Sequence, residues 1–458
     1  MMDYASLPLF AEADIVICGG GTAGAFAAKA AADLGWRVLI VEQFGSLGGS
    51  ATNGLVVPVM YNHIEGNPQC SYVSRLIQEE LLAIGGVDAG GMHFDPLLLK
   101  IVLEKLCVEA GATMMLHTQL VDAIVRDGKL CEMVVVNKKG LGRIRGRCFI
   151  DATGDGDLSV RAGASYTKGH PETGKNQAVS LRYLVGGINM DAFGAFLREV
   201  AKQKNSTGIY YHDGRLAMAC CTGDKWAFSD LFYEAIRNGD LTEDDKVYWQ
   251  GFSVTGRRDT IAFNNPEFFH KTDGTDPDHL TAIQLIGKQI ILRQLRFYRK
   301  YFPGFEQAYV SEIAPMVGVR ESRNIVTEYV LTAEDLLKKR KFPDSICRSS
   351  YPVDVHGETL KYLKDKNPPA ADGKPWYEIP FRSLVVKGID NLLVAGRCLG
   401  AEFLAQSSLR VQHSARASGE AAGIGAALSL TNGIPPRELD GSDVRDIMLS
   451  KGAVFGDC

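Results

Sequence analysis

No run of about 20 apolar residues occurs anywhere in this 458-residue chain, which removes a membrane-spanning helix from consideration. The N-terminus has neither a basic patch nor a cleavable apolar stretch, so a cytoplasmic location is the expectation. A surplus of positive charge is also missing. Against 54 acidic residues stand 50 Lys and Arg, and the net charge of -4 offers no bulk attraction to nucleic acid or to anionic lipid. The ten cysteines form no C-x-x-C pair and show no zinc or iron–sulfur spacing. No metal is therefore expected, and most thiols should be reduced and packed; Cys220, Cys221 and Cys458 are left without a role. What the chain has in excess is glycine, 49 residues or about 11% against a usual figure near 7%. With 46% hydrophobic and 23% charged residues it is a globular composition, long enough for two or three domains.

The first cluster of glycines follows a short apolar strand, Asp14 to Cys18, as Gly19-Gly20-Gly21-Thr22-Ala23-Gly24. An Ala-rich helix runs from there to about Asp33, Gly35 stops it, and a second apolar strand, Arg37 to Val41, ends on Glu42. Strand, glycine turn, helix and second strand make a unit of about 30 residues suited to a dinucleotide. Gly19 permits the tight turn, Gly21 lets backbone N–H groups approach a pyrophosphate, and Gly24 lets the helix pack on the strand. The phosphate charge would rest on the helix N-terminus. Glu42 stands where a carboxylate accepts from ribose hydroxyls and repels a 2′-phosphate, which favours FAD or NAD over NADP.

Further on, a polar loop of Gly45 to Thr52 follows the second strand, and Asp95-Pro96 opens a helix that Gly111 closes. Met114 to Val125 and Lys129 to Asn137 read as strands, and Phe149 to Asp151 as a strand running into the Gly and Asp turn at Thr153 to Asp157. Asn391 to Arg397 reads as another buried strand, followed by an Ala- and Gly-rich helix from Gln412 to Leu428. These segments, with Gly318 to Arg323, Tyr351 to His356 and Ile379 to Leu384, run in order along nearly the whole chain. In that order the sequence resembles the FAD-dependent oxidoreductase family of the glutathione reductase-like flavoproteins. The resemblance implies an α/β fold: a Rossmann-like, doubly wound, mostly parallel FAD-binding domain built from 1–165 and 381–458, with an α+β substrate domain inserted at 166–380. It implies non-covalent FAD held by Gly19, Gly21, Thr22, Ala23 and Gly24 at the pyrophosphate. Glu42 and Gln43 would meet the adenosine ribose, Gly48, Gly49, Ser50 and Ala51 the flavin, and Val121 the adenine. Thr153, Gly154, Asp155, Gly396 and Arg397 would meet the phosphate and ribitol, and Leu409, Arg410 and Val411 would begin a helix facing flavin O2.

No second strand-linked G-x-G-x-x-G appears, so no dedicated NAD(P)H domain is expected and the electron donor or acceptor is an unidentified external partner. For the chemistry, His356 is the first candidate acid or base, His413 the second and His63 the third, since an imidazole titrates near neutrality. Arg320, Arg323 and Arg382 are candidates to hold a substrate carboxylate, although Glu321 offers an ion-pairing alternative. The basic stretch Lys288 to Lys300 reads as the solvated face of an amphipathic helix whose apolar side carries Leu285, Ile286, Ile290, Leu292 and Leu295. The expected function is hydride transfer between flavin N5 and a small organic substrate. An electron-transfer subunit of a larger redox complex and a nucleic-acid-modifying flavoprotein are the alternatives, and a homo-oligomer is left open.

Overall fold

Every residue of Ile15–Cys18, Val38–Val41 and Cys148–Asp151 is buried, as expected for parallel strands covered on both faces. The computed structural model describes residues 4–204, 208–212, 215–222, 229–357 and 373–456. The side chains of Cys220 and Cys221, and all of Cys458, lie outside these described residues. The three buried strands pair in parallel with Thr113–Met115 at one edge and Leu392–Val394 at the other. Cys18 sits opposite both Val41 and Asp151, so the carboxyl ends of the central strands open at one level. The strand Leu392–Val394 joins the sheet from far along the chain, as its apolar run and glycine exit imply.

Helix Thr22–Ala32 follows the first strand and helix Gln412–Asn432 lies against it. A Cβ on Gly419 would come 2.2 Å from the Ala23 carbonyl oxygen, and one on Gly423 would come 2.3 Å from that of Ala27. The two helices thus meet backbone to backbone, which only small residues permit. Helix Pro96–Glu109 begins as expected, with Asp95 accepting from Leu97 N at 2.8 Å.

The reading of Met114 to Val125 as one strand is corrected. Thr113–Met115 belongs to the parallel sheet, whereas Gln119–Arg126 belongs to a four-stranded sheet with Lys129–Asn137, Gly140–Arg145 and Leu9–Glu12. Between them His117 has φ 52°, a left-handed residue that turns the chain out of one sheet and into the other.

A six-stranded antiparallel sheet forms a second core, ordered Ile209–His212, Arg215–Thr222, Tyr248–Val254, Arg257–Phe263, Tyr183–Gly186 and Tyr309–Ile313. Helix Pro277–Tyr301 covers it through Ile283, Ile291, Leu295, Phe297 and Tyr298. The amphipathic helix is present, but only part of the face expected to be buried is so: Leu295 is buried and Ile290 half-buried. Leu285, Ile286 and Leu292 are exposed, because the contact stripe passes through Gly287, Ile291 and Gln294 instead. Among the described residues, no helix is long and apolar enough to cross a membrane.

Candidate functional site

A cavity of about 930 Å³ runs from the first glycine turn, past the carboxyl ends of the parallel strands, to the six-stranded sheet. One end is lined by Gly19, Gly21, Thr22, Ala23, Glu42 and Gln43. Gly19 has φ 95°, and a Cβ there would come 2.6 Å from the Ala152 carbonyl oxygen, so the turn admits only glycine. A Cβ on Gly24 would lie 1.9 Å from the Gly19 oxygen, which is the close helix-to-strand packing assigned to it. Gly21 differs: a Cβ there would meet nothing nearer than 3.8 Å and would intrude into open cavity.

Glu42 is buried, with one carboxylate oxygen accepting from Gly20 N at 2.6 Å and the other from Phe44 N at 2.8 Å. Burial pushes its carboxyl above the usual range, while these backbone donors pull it back. Thr118, Gln119 and Leu120 also line this end, one residue short of Val121.

In the middle, Gly49, Ser50, Thr153, Gly154, Asp155, Gly396 and Arg397 line the cavity. Gly48 and Ala51 are buried behind them, and Gly48 receives a hydrogen bond from Thr22 Oγ1 at 3.1 Å. Arg397 donates through Nη2 to Asp155 at 2.8 Å, while its Nη1 is buried with no hydrogen-bond partner. Helix Gln412–Asn432 starts at this wall with Val411 as N-cap, and helix Thr22–Ala32 starts at the other with Gly21; neither has a side-chain cap. Arg410 and Val411 line the cavity, but Leu409 is buried at the end of the preceding helix, Phe403–Leu409, so the helix expected to start at Leu409 begins later, at Gln412.

The far end carries charge from several elements. Arg320 pairs with Glu267 and donates to the Ala178 carbonyl at 2.7 Å. Arg410 reaches Asp354 at 3.2 Å and its carbonyl at 2.9 Å. His356 faces two carboxylates, with Nδ1 2.8 Å from Glu267 and Nε2 3.4 Å from Asp354. Arg182 lines the cavity beside Arg320 and Arg410 and donates to Asn264, yet no carboxylate pairs with it among the described residues. Burial, and then the neighbouring guanidiniums, disfavour its charge.

Two of the four catalytic candidates stand elsewhere. His413 is fully buried, with Nε2 2.9 Å from the Arg348 carbonyl and turned away from the cavity. Arg382 is tied to Asp344 at 2.9 and 3.1 Å, also outside the cavity. Arg323 pairs with Asp157 at 2.9 Å and donates to the Asp155 carbonyl, and His63 does not reach the cavity. Glu321 binds Gly169 N and Asn176 rather than its flanking arginines. Sequence reasoning missed Arg182, Asp354 and Glu267. Only an arginine standing alone among apolar residues at the start of a strand, Leu181-Arg182-Tyr183-Leu184, could have signalled the first.

The glycine turn, the ribose-side carboxylate and two uncapped helix starts facing one cavity define a dinucleotide-binding α/β protein. The open cradle at Gly21 and the unpartnered Arg397 Nη1 fit a pyrophosphate-bearing cofactor in that cavity. The chain belongs to the FAD dependent oxidoreductase family, whose model matches residues 14–448, and its cofactor is FAD. Over 163 residues it is 30% identical to a thiamine thiazole synthase of Methanococcus aeolicus, covering 32% of this chain and 57% of that protein. It is 29% identical over 150 residues to a dihydrolipoyl dehydrogenase of Vibrio parahaemolyticus, covering 32% of this chain and 27% of that one. The chain thus spans little more than half of the first relative's length and about a quarter of the second's. Among solved structures, L-proline dehydrogenase from P. horikoshii aligns over 97% of this chain and 99% of its own at 11% identity and a TM-score of 0.43. A geranylgeranyl bacteriochlorophyll reductase-like protein from Thermoplasma acidophilum aligns over 96% and 83% at 13% identity and a TM-score of 0.43.

Proposed function

We propose that the protein transfers hydride between FAD and a small organic acid bound at the Arg182 end of the cavity, and exchanges electrons with a separate donor or acceptor. The observation that carries this reading is Arg182, a guanidinium on the cavity wall that donates to Asn264 and makes no ion pair with a carboxylate among the described residues. A desolvated cation of this kind is stabilised by an incoming anion, and its planar fork matches a carboxylate. In this reading residues 1–165 and 381–458 hold FAD and residues 166–380 supply the substrate walls.

When bound, FAD supplies a two-electron acceptor or donor at N5. Gly21, Ala23 and Arg397 would hold its pyrophosphate, Glu42 its ribose, and the start of helix Gln412–Asn432 the pyrimidine edge of the flavin. Arg182 orients the substrate by its carboxylate. His356 moves the proton: Glu267 fixes the ring through Nδ1, and the longer contact from Nε2 to Asp354 is the one a substrate can replace. His356 and Arg410 hold the Asp354 carboxyl low, and Arg320 and His356 do the same for the buried side chain of Glu267.

Anaerobic mixing of the yellow holoenzyme with a panel of small organic acids and their amides tests the proposal. Acids are expected to bleach the flavin and the matched amides not to. His356→Ala should retain FAD and slow substrate-driven reduction by about 10²–10⁴. Arg182→Met should raise the acid concentration needed by roughly 10–100-fold, the value of a charged hydrogen bond. Equal bleaching by acids and amides, or unchanged reduction in His356→Ala, refutes the respective assignment.

A further inference from the structure

Behind the start of helix Gln412–Asn432, away from the FAD cavity, three metal-ligating side chains converge from distant segments. Cys70 comes from the turn before helix Tyr72–Ala83, Cys347 from strand Ser345–Ser349, and His413 from the first turn of the long helix. All three are buried, and their Sγ, Sγ and Nε2 atoms lie within 4.8 Å of one another. A fourth atom faces the same point: the Arg348 carbonyl oxygen is 2.9 Å from His413 Nε2, 3.7 Å from Cys347 Sγ and 3.8 Å from Cys70 Sγ. Cys347 Sγ is 3.4 Å from His413 Nε2.

We propose that Cys70, Cys347 and His413, with the Arg348 carbonyl, bind one zinc ion that is independent of the flavin chemistry. In a tetrahedral site with Zn–S near 2.3 Å and Zn–N and Zn–O near 2.0–2.2 Å, neighbouring ligand atoms stand roughly 3.4–3.8 Å apart. The contacts of both sulfurs with the Arg348 oxygen and of Cys347 Sγ with His413 Nε2 already fall in that range, and the nitrogen-to-oxygen pair, now a hydrogen bond, has to open by about 0.5 Å. Two thiolates select a thiophilic d¹⁰ cation over magnesium or calcium. Each thiol gives up a proton to solvent on binding, and two thiolates with Zn²⁺ leave a neutral buried unit. The Arg348 amide, donating to Cys70 Sγ at 3.4 Å, supplies the outer hydrogen bond that a metal-bound thiolate takes. Among the described residues His413 Nδ1 is buried without a hydrogen-bond partner, so the ring is oriented by Nε2 and what it faces. A Cys70–Cys347 disulfide would leave the imidazole no part in the cluster. The site would pin the helix that begins at the flavin to the strand and the turn behind it.

The test uses the full-length holoenzyme, incubated with zinc, freed of excess by gel filtration and measured for metal content. About one zinc per chain is expected, with an X-ray absorption first shell of two sulfurs and two nitrogen or oxygen atoms. The double variant Cys70→Ser, Cys347→Ser should lose at least nine-tenths of it while its flavin absorption reports that it still folds. If that variant does not fold, the first shell of the unaltered protein decides alone. Less than a tenth of a zinc per chain, a shell without two sulfurs, metal retained in a folded double variant, or loss of two free thiols to a disulfide each overturns the proposal.

Discussion

Replacing Gly419 by alanine tests how closely the two helices beneath the cofactor approach. Taken alone, glycine to alanine inside a helix stabilises by about 1 kcal/mol. Here the new Cβ would lie 2.2 Å from the Ala23 oxygen and 2.8 Å from both its carbonyl carbon and its Cα, all backbone atoms that cannot rotate away. The helices must part by about 0.8 Å to restore even a 3.0 Å contact. Overpacking of this kind costs about 1–3 kcal/mol, which cancels the propensity gain and leaves a net loss of up to about 2 kcal/mol. The displaced residue is Ala23, in the helix turn proposed to face the pyrophosphate. A hydrogen bond of about 2.9 Å stretched by that amount passes beyond bonding range, and losing one or two charge-assisted bonds weakens FAD by roughly 10–100-fold. Gly194→Ala is the control, since its helix position offers a Cβ nothing closer than Arg198 at 3.6 Å. Urea denaturation of both variants, with FAD titration by fluorescence quenching, gives the comparison. A Gly419→Ala protein as stable as Gly194→Ala, with unchanged FAD affinity, would refute the argument.

Glu42→Ala strands the buried Gly20 amide, so the apoprotein should lose about 1–3 kcal/mol in denaturant titration and FAD affinity should fall as well. Asp354→Asn should lower stability at neutral pH by removing an ionised partner of His356 and Arg410. Burial raises the Asp354 carboxyl, but the hydrogen bond from His356 and the charge of Arg410 outweigh it and hold it below the usual range. Its contribution is therefore complete above about 3.8 and lost as pH falls through the lower folded value, so the gap between the unaltered protein and the variant should close in acid. A gap that widens below pH 4 would contradict the assigned direction. Arg257→Met breaks the bond from the six-stranded sheet to Asp95, the cap of helix Pro96–Glu109, and should destabilise the protein by about 1–3 kcal/mol, read by the same titration.

The cofactor end of the site was legible because its constraints are local. The Gly24 packing and Glu42 follow from neighbours within about 25 residues, and the positive φ of Gly19 is local to its turn. The strand Leu392–Val394 was legible from a different cue, an apolar run with a glycine exit. The substrate end was not legible, since Arg182, Glu267, Arg320, Asp354 and Arg410 meet only through the pairing of distant strands and loops. Ordered segments placed His413 and Arg382 near the expected site but could not say which way they face. His413 shows why: one step from a residue that lines the cavity, a helical side chain already points to the opposite side. The Cys70, Cys347 and His413 cluster escaped for the same reason, because metal-ligand spacing in sequence says nothing about ligands 66 and more residues apart.

The contact between Ala23 and Gly419 also joins parts of the chain that are far apart in sequence. Any fragment ending before Leu392 has the glycine turn but lacks one edge of the parallel sheet, Gly396, Arg397 and the helix Gln412–Asn432. It would leave bare the part of helix Thr22–Ala32 that Gly419 and Gly423 cover. The first motif alone therefore makes half of a cradle, and the cavity wall is finished only by the strand and helix that return to it.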